Sequence, residues 1–319
     1  MSRGYLYVLL CALFFSSMEV ALKGITGQFH PIQMTFTRFL VGGLVLLPFG
    51  LRSLRRHGAS LDARAIGSFA LLGFVGIFVS MTFYQIAVDN ANASVIAVLF
   101  SCNPVFVFAL AFLVLRADIR RHHILALVLE VFGAMVLINP LNTDISLAGI
   151  VCVALSVVFF ALYTVLGAHP CAAYSGTMVT CGSFLMGSLE MLLFILLSHV
   201  GPAAAFFAGH GLELFSEIPL LSGYTTANFP VVLYVSIGVT GCGYMFYFLS
   251  VEVLSPLSAS LAFFFKPILA PIFAWIILSE PIPLNMIVGI MIILCGSLVT
   301  LLPGLRVSCA NRFPFLRKH

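Results

Sequence analysis

A lysine followed directly by a proline lies in the middle of the apolar stretch Ser255–Glu280. The stretch is long enough to cross a bilayer as a helix, which takes about 20 residues. A lysine at mid-membrane depth costs about 2.5–3.5 kcal/mol on insertion scales, and Pro267 and Pro271 each remove a helical hydrogen bond. A helix that lines a wet cavity tolerates both features. We therefore predict that the Lys266 ammonium meets a carboxylate or phosphate group of a ligand.

Three further charges lie in apolar stretches near the N-terminus. Glu19 and Lys23 are four residues apart and share one helix face, and Arg38 lies at a similar depth in the next stretch. We predict a contact between Glu19 and Arg38, either as a structural ion pair, as an outer gate or as a protonation site that couples transport to the proton gradient, with Lys23 nearer the interface. The alternative for Lys266 is a purely structural pairing, either with Glu130 or Glu190, two acids inside predicted spans, or with backbone carbonyls freed by the prolines.

Composition places these residues in a polytopic membrane protein. Hydrophobic residues make up 61% of the 319 residues and charged residues 8%, whereas soluble chains carry about 25% charged residues. The eight cysteines are scattered through apolar runs and form no Cys-x-x-Cys pair, so we expect packing roles and no metal site. The hydropathy pattern predicts ten spans, at about 5–26, 31–50, 65–88, 91–115, 121–139, 147–168, 176–199, 229–251, 255–279 and 283–302.

An internal duplication organises the ten spans into two halves. A shift of 163 positions places Phe83-Tyr84 on Phe246-Tyr247 and Pro104 on Pro267, and a shift of 145 places Phe14-Phe15 on Phe159-Phe160. The fixed offsets indicate a repeat more strongly than any single identity. Because five spans per repeat is an odd number, the two halves are predicted to lie in opposite orientations.

Positive charge predicts the orientation of the chain. With the N-terminus inside, the outer loops contain no Lys or Arg, as the positive-inside rule requires. Twelve of the 15 basic residues then fall on the inside, namely Arg3, Arg52, Arg55, Arg56, Arg64, Arg116, Arg120, Arg121, Arg306, Arg312, Arg317 and Lys318.

The pattern resembles the drug/metabolite transporter superfamily, and within it the EamA-type permeases. Ten spans in two inverted halves, Phe36-Thr37-Arg38-Phe39 early in the second span, and the paired Pro104 and Pro267 carry the resemblance. Position 117 departs from the pattern, because Ala117 stands where the second half has the span-end acid Glu280.

The resemblance implies an all-α polytopic membrane protein with ten transmembrane helices as two inverted five-helix repeats around a central cavity. The repeats are residues 1–140 and 141–305, with an extracytoplasmic insertion at about 201–228 and a basic cytoplasmic tail at 306–319. It further implies a secondary transporter, commonly an exporter, in a bacterial cytoplasmic membrane with both termini cytoplasmic. The expected partners are a small-molecule substrate and the lipid bilayer, without nucleic acid or cofactor, for a monomer or homodimer.

Within this framework we expect alternating access, with amino acids or other carboxylated compounds as substrates. The predicted substrate-binding residues are Lys266, Asn103, Tyr84, Tyr247, Tyr163 and Phe263. The predicted gate or proton-coupling residues are Glu19, Arg38, Lys23 and Glu190. The predicted helix breaks are Pro104, Pro267 and Pro271.

Other function classes fit the sequence less well. An intramembrane enzyme is not expected, because the chain has no His-Glu-x-x-His, no Gly-x-Ser-x-Gly and no Cys/His metal spacing. The alternatives that stay open are a flippase for a lipid-linked headgroup and a non-transporting membrane sensor or assembly protein. The sensor would have no need of Lys266 in mid-span.

Overall fold

Helices form most of the described chain in the computed structural model of the protein, which describes residues 3–115, 121–138 and 146–312. The basic residues at 116–120 and from 313 onward, which are predicted to face the cytoplasm, fall outside the described residues. The N-terminal part contains α1 Arg3–Ser16, α2 Met18–Lys23, α3 Pro31–Arg56, α4 Ala63–Leu72, α5 Met81–Asn90, α6 Ala93–Phe100, α7 Asn103–Leu115 and α8 Arg121–Ile138. The C-terminal part contains α9 Leu147–Tyr174, α10 Gly176–Ser198, α11 Gly201–Gly209, α12 Phe229–Leu233, α13 Tyr244–Val253, α14 Pro256–Ala259, α15 Lys266–Leu278 and α16 Leu284–Arg312.

Seven helical segments of the described chain are long and apolar enough to cross a membrane. They are Arg3–Lys23, Pro31–Arg56, Ala63–Asn90, Ala93–Val114, Leu147–Tyr174, Gly176–Ser198 and Phe229–Val253. Shorter apolar helices lie where the fifth, ninth and tenth spans are predicted, at Val128–Leu137, Lys266–Leu278 and Leu284–Gly296. The chain is therefore an all-helical, multi-pass membrane protein, and the count of ten spans in inverted repeats stays a prediction.

Prolines interrupt the fourth and ninth predicted spans. α6 ends at Phe100 and α7 begins at Asn103, directly before Pro104. In the ninth span a 3-10 turn at Ser260–Phe264 separates α14 from α15, which begins directly before Pro267. Proline is tolerated in the first turn of a helix but not beyond it without loss of a hydrogen bond, so both helices restart at these positions.

Pro271 does not interrupt the ninth span, contrary to the prediction from the sequence. α15 continues through Pro271 to Leu278. Pro271 leaves only the carbonyl of Pro267 without its helical N–H partner. α15 packs against α6 and α2, and packing against neighbouring helices holds such a turn in helical form.

A π-helical turn lies in each of the third and eighth predicted spans, at Gly73–Ser80 and Tyr234–Gly243. Both turns pack closely on a neighbouring helix. A Cβ atom on Gly42 of α3 would lie 3.0 Å from the Ser236 carbonyl oxygen, and one on Gly187 of α10 would lie 2.9 Å from the Gly73 carbonyl oxygen. Glycine therefore permits the approach of helix backbones at both turns.

The start of α3 depends on a histidine cap. The Nδ1 atom of His30 accepts a hydrogen bond from the Ile32 backbone N–H at 3.3 Å, and the Gln33 side chain accepts one from the His30 N–H at 3.4 Å. Burial lowers the pKa of His30, and a backbone hydrogen bond to Leu214 opposes that shift. The neutral ring is the form that can accept at Nδ1.

The connection predicted at 201–228 folds over the N-terminal end of α3. It contains α11, where a short interfacial helix is predicted. The Gln33 side-chain amide donates hydrogen bonds to the carbonyl oxygens of Leu220 at 3.2 Å and Ser222 at 2.7 Å. The hydroxyls of Thr37 and Tyr224 lie 2.5 Å apart. The connection thus ties the C-terminal part of the chain to α3.

Candidate functional site

Lys266 forms an ion pair with Glu19 in the interior of the helix bundle. Lys266 is the first residue of α15, Glu19 lies in α2, and both side chains are fully buried. The hydroxyl of Tyr84 on α5 donates a hydrogen bond to the same carboxylate oxygen, Oε1. A cation is unfavourable at a helix N-terminus, and the Glu19 carboxylate offsets this at the break before α15. Lys266 therefore pairs with Glu19, and not with Glu130 or Glu190, the acids considered as structural partners from the sequence.

Aromatic rings surround the ammonium group of Lys266. Its Nζ atom lies 4.8 Å from the ring centre of Phe100, 5.7 Å from that of Tyr84 and 5.9 Å from that of Phe263. Rings at these distances attract a cation, and the attraction strengthens when water is excluded. Predicted site residues Lys266, Tyr84 and Phe263 therefore meet at one place, together with Glu19.

Arg38 is fully buried beside this cluster but does not pair with Glu19. Its Nη1 atom donates to the Met18 sulfur at 3.5 Å, and its Cζ atom lies 4.7 Å from the Phe39 ring centre and 5.9 Å from that of Tyr84. The predicted Glu19–Arg38 contact is wrong, because the lysine on α15 takes the Glu19 carboxylate. In the described part of the chain, the Nε and Nη2 atoms of Arg38 have no hydrogen-bond partner.

Hydrogen bonds hold two other predicted site residues, Lys23 and Asn103, away from this cluster. The ammonium group of Lys23 donates to the Val88 carbonyl oxygen at 3.0 Å, at the C-terminal end of α5. The Asn103 amide donates to the Val157 carbonyl oxygen on α9 at 3.4 Å. Glu190 is half-buried on α10. These positions give Lys23 the role of a helix cap and place Asn103 at the α7–α9 contact.

The other two predicted tyrosines donate or accept hydrogen bonds within the C-terminal part of the chain. The hydroxyl of Tyr247 lies 3.0 Å from that of Thr164, and the hydroxyl of Tyr163 lies 2.8 Å from that of Ser183. All four side chains are buried. The rings of Tyr247 and Phe263 are 5.7 Å apart and edge to face, so Tyr247 borders the aromatic wall around Lys266.

The contacts of the two halves correspond at the offsets found in the sequence. Tyr247 is 163 positions after Tyr84, and Thr164 is 145 positions after Glu19, so the Tyr247–Thr164 contact matches the Tyr84–Glu19 contact. The carboxylate of one half is thus replaced by a hydroxyl in the other. The side chains at the breaks differ likewise, because Asn103 corresponds to Lys266. Glu19 and Lys266 are charged, whereas the residues at the equivalent positions, Thr164 and Asn103, are neutral.

A second pair of contacts follows the same offset of 145. Ser183 corresponds to Arg38, and Tyr163 corresponds to Met18. Arg38 contacts Met18 in one half, and Ser183 contacts Tyr163 in the other, in each case between two helices. Thr164 and Ser183 are not among the residues predicted from the sequence, although the offset of 145 applied to Glu19 and Arg38 leads to both. Equivalent threonines also bind equivalent carbonyls at 3.5 Å, Thr35 to Met81 and Thr180 to Tyr244.

Glu280 joins the two parts of the chain at the other end of α15. Its carboxylate accepts hydrogen bonds from the backbone N–H groups of Ala93 at 2.8 Å and Ser94 at 3.1 Å, and from the Ser94 hydroxyl at 2.5 Å. A carboxylate at a helix N-terminus satisfies free N–H groups and complements the helix dipole. The start of α6 is therefore held by a residue 187 positions later.

Glu130 lies apart from the cluster, in a cavity of about 190 Å³ between α7, α8 and α9. The cavity wall is otherwise apolar and includes Cys102, Val131 and Met135. Over the described residues, no group of three or more His, Cys, Asp or Glu side chains lies close enough together to hold a metal ion. The charged cluster at Lys266 is the candidate functional site.

Comparisons with known proteins agree with a transporter of this architecture. The EamA-like transporter family matches residues 2–139 and 147–302. An uncharacterized transporter of Clostridium kluyveri is 30% identical, with 94% of this chain and 93% of that protein covered. The uncharacterized transporter YoaV of Bacillus subtilis is 23% identical over 87% of this chain and 89% of its own.

A solved crystal structure shares the fold, with a TM-score of 0.67 at 17% identity, covering 94% of this chain and 98% of the other. The relatives' names indicate a transporter rather than an enzyme. The family match over both halves and the relative at 30% identity show that this chain belongs to the EamA-like transporter family, within the drug/metabolite transporter superfamily.

Proposed function

We propose that the protein is a secondary transporter that exports small carboxylated metabolites, amino acids among them, across a bacterial cytoplasmic membrane. Transport proceeds by alternating access between residues 1–140 and 141–305, which form two inverted five-helix repeats, with both termini cytoplasmic. The observation that carries the proposal is the fully buried Glu19–Lys266 ion pair, which connects the two halves. Family membership supports the class of activity.

The ion pair is difficult to explain by stability alone. Apolar residues of similar volume in place of a buried ion pair are often neutral or stabilising, so a bundle with this aromatic interior has no need of the charges to fold. Charged residues within membrane helices commonly mark substrate or ion pathways. We therefore assign Lys266 to the substrate's carboxylate, which competes with Glu19 when the halves part.

Glu19 is the proposed proton carrier. In the closed arrangement its carboxylate is held by Lys266 and Tyr84. A proton on Glu19 would remove the charge that holds Lys266, and the ammonium group would become available to an anion. Proton binding and substrate binding are then linked through one ion pair, and the coupling is reciprocal as linkage requires.

The corresponding contacts of the two halves support the arrangement as two structural repeats, and the odd number of predicted spans in each repeat supports their inversion. Related helices carry the same hydrogen bonds at offsets of 145 and 163, and π-helical turns occur at related positions. Halves with equivalent packing can exchange roles, which is the basis of rocking about a central site. The difference in charge between Lys266 and Asn103 gives the ligand a preferred half.

Transport is tested with purified protein in liposomes loaded with a set of radiolabelled metabolites. We expect counterflow for a carboxylated solute, its loss in Lys266→Gln, and no change in Arg64→Gln, an exposed cation on α4. A pH-sensitive dye in the lumen reports proton movement with the same substrate. Flux that Lys266→Gln leaves unchanged contradicts the assignment, and translocation of a lipid-linked headgroup without solute flux would favour the flippase.

A further inference from the structure

Arg38 carries an unused pair of hydrogen-bond donors in the interior of the bundle. Its side chain is fully buried, and its only hydrogen bond in the described chain goes from Nη1 to the Met18 sulfur, a weak acceptor. The Nε and Nη2 atoms have no partner among the described residues. Together they form the planar edge of the guanidinium group that binds two oxygens of one carboxylate.

An unmet guanidinium edge is costly in this environment. Arginine stays protonated in proteins, so the charge cannot be removed by loss of a proton as it can for lysine. A buried charged donor left unsatisfied loses more than the 1–3 kcal/mol that a neutral buried group loses, as an order of magnitude. A buried unsatisfied group of this kind calls for an explanation, and an acceptor supplied by a ligand is the explanation that fits a transporter.

The charges of the cluster favour a ligand with one net negative charge. Arg38 and Lys266 contribute two positive charges and Glu19 one negative charge, which leaves a net charge of +1, and all three side chains are fully buried. Both cations lie within 6 Å of the same Tyr84 ring, Cζ of Arg38 at 5.9 Å and Nζ of Lys266 at 5.7 Å. A monoanion neutralises the cluster, whereas a zwitterion leaves its charge unchanged.

The surroundings of the cluster select an apolar body for that ligand. The rings of Phe15, Tyr244 and Phe263 lie next to one another, with centre distances of 5.0 Å and 5.7 Å from Phe15. Arg38 itself stacks on Phe39, whose ring meets that of Tyr244 at 5.6 Å. A ligand bound to the Arg38 edge therefore extends along aromatic surface rather than into polar contacts.

We infer that the free Nε/Nη2 edge of Arg38 is the receptor for the carboxylate of a monocarboxylate anion with an apolar body. The inference rests on the proposed transport function and narrows its substrates from carboxylated metabolites in general, amino acids included, to carboxylates without an ammonium group. Arg38 holds the carboxylate while Glu19 still retains Lys266, and opening of that ion pair follows. The site has no exposed surface in the closed structure, so the ligand enters when the helices around α2 and α15 separate.

Four probes with the same aromatic body and different charge test the inference. They are 3-phenylpropionate as the anion, phenylalanine as the zwitterion, 2-phenylethylamine as the cation and 3-phenylpropionamide as the neutral compound. Binding of each to the full-length protein in lipid nanodiscs is measured by titration calorimetry. We expect 3-phenylpropionate to bind at least about tenfold more tightly than the other three, the discrimination that one bidentate charged contact supplies.

Arg38→Lys is the decisive variant, because it keeps the positive charge and removes the two parallel donors. We expect the ratio of affinities between 3-phenylpropionate and its amide to fall about tenfold or more. That ratio does not depend on the fraction of folded protein. The exposed cation Arg52 provides the matched control, because Arg52→Lys makes the same change outside the bundle interior and is expected to leave the ratio unchanged.

The other outcomes overturn the inference. Phenylalanine or the amide binding as tightly as the anion would refute the charge argument, and an unchanged ratio in Arg38→Lys would refute the role of the donor edge. If none of the four probes binds while the liposome assay still shows Lys266-dependent flux of another solute, the inference fails and the proposed transport stands. Loss of flux for every metabolite would instead contradict the proposed function.

Discussion

Removing one partner of the Glu19–Lys266 ion pair is expected to destabilise the protein far more than removing both. In Glu19→Gln the lysine stays fully buried without its counter-charge. Breaking a buried ion pair in this way costs about 3–5 kcal/mol. The buried lysine can instead lose its proton. At pH 7.4, about three units below the reference pKa of about 10.4, this costs about 4 kcal/mol, so the destabilisation of Glu19→Gln should not exceed about that value.

The double variant Glu19→Gln/Lys266→Met should recover most of that loss. Methionine keeps the apolar, unbranched stem among the rings of Phe100 and Phe263, and glutamine still accepts from the Tyr84 hydroxyl. Replacing both charges of a buried pair is often neutral or stabilising. We therefore expect the double variant within about 1 kcal/mol of the wild type, and a coupling energy of about 3 kcal/mol or more between the two positions.

Equilibrium unfolding in mixed detergent micelles measures the free energy of unfolding of the four proteins in this double-mutant cycle, with Arg64→Gln as a surface control. Additive costs, in which the double variant is as unstable as the sum of the single variants, would refute the ion pair as the source of the penalty. Counterflow should stay absent in the stable double variant. Full transport by that variant would show that the charges are dispensable for function.

Three other changes test the packing and the helix caps. Gly73→Ala brings a Cβ to 2.5 Å from the Gly187 backbone nitrogen and should destabilise the protein by about 1–3 kcal/mol. The control Gly67→Ala on α4 meets no atom within 4 Å and should be neutral or stabilising. Thermal unfolding compares the two variants. Glu280→Ala should cost about 1–2 kcal/mol through loss of the α6 cap, measured by the same unfolding method, and an unchanged stability would contradict the cap. Burial lowers the pKa of His30 below its unfolded value of about 6.5. The stability that the His30 cap contributes is therefore present above that pH and is lost as the pH falls through the folded pKa. His30→Asn should abolish this acid sensitivity of unfolding.

The helices and their breaks could be predicted from the sequence because the signals are local. Runs of apolar residues fix where helices form, and the absent N–H of proline fixes the breaks before Pro104 and Pro267. Pro271 shows the limit, since a proline inside a well-packed helix need not interrupt it. The residue type and its spacing cannot tell these two situations apart.

The partner of Glu19 could not be predicted in the same way. Depth along the helix placed Glu19 level with Arg38, but depth says nothing about which face each side chain occupies. The break before α15 brings Lys266 into the interior and opposite α2. That contact joins residues far apart in the chain, so it depends on helix packing. The correspondence of Thr164 with Glu19 was available from the repeat offset alone.

The π-helical turns at Gly73–Ser80 and Tyr234–Gly243 have a consequence for how the tyrosines that follow them can move. A wide turn holds one extra residue, and its migration along a helix rotates the intervening side chains by about 100°, the angle between neighbouring residues of a helix. Such a shift would swing Tyr84 away from α2, or Tyr247 away from α9, without unfolding either span. Each turn lies in a different helix and precedes one of the two tyrosines, so its register bears directly on one contact of the candidate site, Tyr84–Glu19 or Tyr247–Thr164.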